Sequence, residues 1–131
     1  MLKLIRTIAA LALTLSFASS AHAVCNAHTQ IAQAVEIGHG HAFAAHQAEF
    51  QEGVVIAGLA YPGPSIGNAD QFSILIRSIM ANPSQNKALI NNRHAYWDNA
   101  TGAVVILNMN ANDCGTAFRP NAGIAYYNNL N

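Results

Sequence analysis

Two cysteines, Cys25 and Cys114, bracket nearly all of the chain beyond its first two dozen residues, and pairing them obliges the two ends of the fold to meet. Whether they pair depends on the compartment. Lys3 and Arg6 form a basic start, Ile8–Ala18 is an apolar run and Ala21-His22-Ala23 is a small-x-small cleavage pattern, so residues 1–23 read as a secretory signal peptide. The apolar run is short for a bilayer span, which argues against a permanent anchor. Export to a secreted or periplasmic location puts the cysteines where disulfides persist, and a Cys25–Cys114 bridge is expected. In the chain-entropy view so long a loop gives roughly 4 kcal/mol, less any strain. The competing uses are a bridge between chains and a catalytic thiol. Cys25 sits in a terminal segment, and neither cysteine has an activating arrangement beside it in the sequence.

Removing the leader leaves 108 residues, 24–131, enough for one domain with one hydrophobic core and no stable membrane association. Four basic side chains, Arg77, Lys87, Arg93 and Arg119, then stand against six carboxylates, a net charge of −2 with neutral histidines. Affinity for an extended nucleic-acid footprint comes mainly from neutralising phosphates, so this charge argues against one. A small cleft in which one or two arginines and histidines face a phosphate remains open.

Helical patterns occupy the first half. Ile31, Ala34 and Val35 place a helix over Ala27–Ile37, ended by Gly38-x-Gly40, and a second helix is expected over His41–Phe50. Val54–Tyr61 is an apolar run that reads as a buried strand or an extended cover, and Pro62-Gly63-Pro64-Ser65 is a turn or loop. Asn68 and Gln71 resemble a capping box before the stripe Phe72, Leu75, Ile76 and Ile79, with Asn82-Pro83 as the stop. From Lys87 the pattern becomes short β-prone segments: Lys87–Ile90, Arg93–Trp97, Ala103–Met109, Cys114–Arg119 and Ile124–Tyr127, separated by Asn, Asp, Gly and Pro turns. The fold class expected is α+β, with N-terminal helices packed on an antiparallel sheet of about four strands.

The segment His39–Phe50 carries three of the six histidines. On a continuous helix His39, Phe43, His46 and Phe50 share one face, which would leave His46 partly desolvated between two phenylalanines. In the strands, alternation sets Arg93, Ala95 and Trp97 against His94, Tyr96 and Asp98, and Cys114, Thr116 and Phe118 against Gly115, Ala117 and Arg119. Arg, His, Thr and Tyr facing a helix histidine suit metal-free RNA cleavage, in which a base takes the ribose 2′ proton and an acid protonates the leaving oxygen.

Four ordered pieces, Phe43–Phe50, Tyr96–Gly102, Gly115–Pro120 and Gly123–Tyr126, resemble the small toxin domains of bacterial polymorphic and contact-dependent-inhibition systems, in the broad superfamily of barnase, endoribonuclease-U and colicin-type ribonucleases. That resemblance implies a single ribonuclease-like toxin domain over residues 24–131, an RNA substrate, an immunity-protein partner and no cofactor. It implies His46 as the acid/base histidine, Thr116 as a phosphate-binding or stabilising hydroxyl, Arg119 or Arg93 as the phosphate cation, and Tyr126 near the site. The chain departs from such domains in its own leader, its slight acidity and its cysteine pair.

Metal binding is the rival use of the histidines, since His39, His41 and His46 lie close enough in sequence to meet a zinc or copper ion. The spacing lacks the i, i+4 pair with an intervening glutamate found on catalytic zinc helices. A noncatalytic binding or structural protein, with His46 a core-edge histidine and Thr116 and Phe118 ordinary strand residues, is the third reading.

Overall fold

Thr29 opens the first helix: its hydroxyl oxygen accepts from the Ala32 N–H at 3.2 Å, so α1 runs Gln30–His39. The computed structural model describes residues 24–131, and the expected signal peptide lies outside the described residues. Residues 24–29 run extended rather than helical, with the Cys25 N–H donating to the Met109 carbonyl at 3.1 Å. After Gly40, α2 (His41–His46) passes into a single 3-10 turn, Gln47–Phe50. The continuous helix expected over His41–Phe50 is therefore two pieces. Extended backbone at Gly40 and non-helical angles at His46 break the helical phase, so the histidine–phenylalanine stripe divides. Phe50 is fully buried, Phe43 packs at the core edge on Phe72, and His39 lies exposed beside Asp70.

Helix α3 (Ala69–Ala81) forms where its caps lie in the sequence. Asn68 Oδ1 accepts from the Gln71 N–H at 2.9 Å, while Gln71 Oε1 reaches one residue further back, to the Gly67 N–H at 2.6 Å. Phe72, Ile76, Ile79 and Met80 face inward. Helices α1 and α3 meet at Gly38, where an added Cβ would lie 2.2 Å from Ser73 Oγ and 2.7 Å from its backbone nitrogen. Gly38→Ala is accordingly expected to cost about 2 kcal/mol, the overpacking outweighing alanine's better helix propensity. Urea unfolding checks this, and an unchanged midpoint would mean that the two helices separate freely.

The apolar run Val54–Tyr61 is neither a buried strand nor a flat cover. It forms a two-residue-per-strand hairpin, β1 (Val55–Ile56) with β2 (Leu59–Ala60), turning through Ala57 and Gly58 at positive φ. Only Tyr61 at its end is buried, its ring edge-on to Phe50 at 5.7 Å.

The main sheet is antiparallel, in the order β3 (Gln85–Leu89), β4 (Arg93–Asp98), β5 (Ala103–Asn108) and β6 (Gly115–Phe118). Strand alternation gives it two apolar faces. Ala103, Val105, Leu107 and Ala117 pack with Ala34, Ile37, Phe50, Phe72 and Ile76 of the helical layer. Leu89, Ala95, Trp97, Val104 and Ile106 form a second cluster on the outer face, closed by Tyr127.

Tyr127 belongs to α4 (Ile124–Asn128), where a fifth strand, Ile124–Tyr127, was expected. A strand needs an open edge. Helix α2 lies along β6, and Gly123 (φ 60) turns the chain back over the outer face. The segment satisfies its own backbone as one helical turn and lays Tyr127 on Trp97, ring centres 6.2 Å apart. Cys25 and Cys114 are joined in a disulfide. Beside it, Gly115 has φ +133, and a Cβ there would fall 1.9 Å from the Ile106 carbonyl oxygen, so the start of β6 requires glycine. No helix among the described residues is long and apolar enough to cross a membrane.

Candidate functional site

His46, the last residue of α2, lies where the helix passes the end of β6. Its Nδ1 pairs with Glu49 Oε2 at 2.5 Å, a contact made because the 3-10 turn brings residue i+3 back over the imidazole. The other Glu49 oxygen accepts from the Arg119 backbone N–H at 2.8 Å, tying the carboxylate to the end of β6. The imidazole stacks on Phe118 with centres 5.2 Å apart, and Phe118 meets Tyr126 edge-on at 5.1 Å. These side chains, with Pro120, Asn121 and Ala122, line an open cleft of about 460 Å³. The His46 side chain is 28 % exposed, so Nδ1 is held by a carboxylate while Nε2 remains for another partner.

Tyr126 and His46 thus line one cleft, with Phe118 in contact with both. Arg119 is placed differently. It is 2 % exposed, and its guanidinium donates to four backbone carbonyls: Nε to Thr101 at 2.7 Å, Nη1 to Glu49 and Val54 at 2.8 and 2.9 Å, and Nη2 to Leu59 at 2.8 Å. Burial lowers its pKa, and the charges of Glu49 and Tyr61 oppose that shift. It clamps the β1–β2 hairpin to the sheet and commits its cation to those carbonyls, while the residue also borders the cleft.

Thr116 and Arg93 line a second, smaller cleft of about 200 Å³ with His41, Asp113, Ile106 and Asn108. Thr116 sits two residues before Phe118 on the outer face, so the two clefts adjoin along β6. Arg93 donates from Nε to the Ile90 carbonyl at 3.2 Å and from Nη2 to the Asn131 backbone oxygen at 3.0 Å, and its remaining N–H groups have no hydrogen-bond partner among the described residues. His41 Nδ1 and its backbone N–H both donate to Asp113 Oδ2. Burial raises the Asp113 pKa, but the hydrogen bonds from His41 and the Gly115 N–H, with the His41 charge, outweigh it and hold the carboxyl below its usual range.

His39, His41 and His46 are not brought together. Each pairs with a different carboxylate, Asp70, Asp113 and Glu49, and among the described residues no group of three or more His, Cys, Asp or Glu side chains is placed to hold a metal ion. His94 lies on the helix-facing side of the sheet with Tyr96, bonded to Asn86 Oδ1 at 2.9 Å and tilted on the Tyr96 ring, with its pKa lowered by burial.

Two participants were not among the expected site residues. Glu49 stands three residues after His46, a spacing visible on any helix wheel. Asp113 is 72 residues from His41, and no local signal links them. No protein-family model, curated protein or solved structure matches the chain.

Proposed function

We propose that residues 24–131 form an exported ribonuclease-like toxin or effector that cleaves RNA without a metal. The observation that carries this reading is the His46–Glu49 pair, opening beside the Phe118–Tyr126 aromatics at the end of β6. A carboxylate on Nδ1 sets the imidazole tautomer and leaves Nε2 to take the ribose 2′ proton. Aromatic faces in the same cleft suit a splayed, single-stranded base. Arg93 and Thr116 in the adjoining cleft supply a cation and a hydroxyl for phosphate oxygens. The slight negative charge favours a short substrate contact over a long basic footprint. The order of helix histidine, strand threonine and Phe-Arg-Pro turn supports kinship with the bacterial toxin ribonucleases, which would bring an immunity protein as partner.

Purified 24–131 protein is expected to cleave single-stranded RNA in the presence of a chelator. His46→Ala should lower the rate by about 10²–10⁴-fold, the usual contribution of a positioned acid or base, while the thermal melt stays cooperative. Full activity in that variant would remove His46 from the chemistry. An inert wild type whose melting rises with zinc or copper would favour metal binding, and indifference to both RNA and metal would favour a noncatalytic protein.

A further inference from the structure

Helix α2 ends in a histidine at each terminus, and both are paired through Nδ1 to a carboxylate: His41 to Asp113 and His46 to Glu49. Five residues of helix separate their Cα atoms by about 7.5 Å along the axis. The two open onto adjoining clefts of one sheet face, on either side of the step from Thr116 to Phe118. We infer that His41, held by Asp113, is the general acid that protonates the leaving oxygen in the reaction for which His46 is the base. This rests on the ribonuclease reading above.

Displacement at phosphorus places the entering and leaving oxygens roughly in line, so the group that removes a proton and the group that supplies one approach from opposite sides. The 2′ oxygen forms a bond to phosphorus as its proton passes to His46 Nε2. The bond from phosphorus to the 5′ oxygen breaks as that oxygen takes a proton from His41 Nε2. The products are a 2′,3′-cyclic phosphate and a free 5′ hydroxyl, with one proton moved from His41 to His46 by way of the substrate. Exchange with water resets both imidazoles. Arg93 stands across the smaller cleft from His41, placing a positive charge beside the phosphate and the protonated acid. The charged groups facing His41 are Asp113 and Arg93, and the titratable groups facing His46 are Glu49 and Tyr126. His41 is 60 % exposed and carries no core contact that would require its ring for folding.

Two substrates separate the roles. RNA leaves as an alkoxide that needs a proton, whereas the para-nitrophenyl ester of uridine 3′-phosphate leaves as a weakly basic phenoxide that does not. His41→Ala is expected to slow RNA cleavage by about 10²-fold or more and to keep the ester rate near wild type. His46→Ala should slow both. His41→Gln, with a melt matching wild type, serves as the variant that keeps a polar contact to Asp113. Undiminished RNA cleavage by His41→Ala, or an equal loss on both substrates in a folded variant, overturns the assignment. A wild type inert towards both substrates removes the proposed function and this inference with it, whereas an active wild type lacking the His41 pattern removes the inference alone.

Discussion

Arg119→Ala is expected to destabilise the domain by about 4 kcal/mol, a large part of the roughly 5–15 kcal/mol that holds a chain of this size together. The side chain supplies hydrogen bonds to the carbonyls of Glu49, Val54, Leu59 and Thr101, on three separate segments. Truncation strands those acceptors where water reaches them poorly, and each buried acceptor left without a partner costs about 1–3 kcal/mol. Partial hydration through the cavity left behind keeps the total below the sum. Arg119→Lys should recover less than half, because one ammonium cannot reproduce a planar fork aimed at four oxygens. Thermal melts should show Arg119→Ala lower by roughly 20 °C. An unchanged melt together with lost RNA cleavage would instead make Arg119 a phosphate ligand, the role the toxin-ribonuclease resemblance implied.

Removing the disulfide, as Cys25→Ser with Cys114→Ser, is expected to have an effect of similar size. The bridge closes a loop with a sequence separation of 89, for which the chain-entropy relation gives about 4–5 kcal/mol. Part of the consequence is local. Cys114 follows Asp113 and precedes Gly115, in a turn where Cys114 and Gly115 both take positive φ. The bridge therefore holds the turn that presents the Asp113 carboxylate to His41. The double variant should melt roughly 20 °C lower and, at temperatures where it stays folded, lose more activity on RNA than on the para-nitrophenyl ester. Equal melting of oxidised and reduced protein would show that the bridge is thermodynamically idle.

Local signals were legible wherever a residue's neighbours in sequence are also its partners in space. The Asn68 cap, the inward stripe of α3 and the strand expected over Arg93–Trp97, which runs one residue further to Asp98, appear where the pattern put them, since capping and alternation act within a few residues. The cysteine pairing followed from the presence of two cysteines and an expected exported location. Ile124–Tyr127 misled because its β-prone composition says nothing of whether an edge is free, and α2 occupies the one beside it. The stripe on His39–Phe50 misled because Gly40 and the 3-10 turn reset the helical phase.

The candidate site divides in the same way. His46 as the half-desolvated histidine of the helical segment, and its carboxylate three residues on, belong to local sequence. So does the placing of Thr116 and Phe118 on one face of their strand. Tertiary structure alone decided the rest: that Arg119 spends its charge on backbone carbonyls, that Arg93 faces Thr116, and that Asp113 meets His41. The physical reason is that an arginine's or a carboxylate's role depends on which partners lie within about 3 Å, and those partners stand up to 72 residues away along the chain. Composition allots one cation or one carboxylate to a position, and packing chooses what it faces.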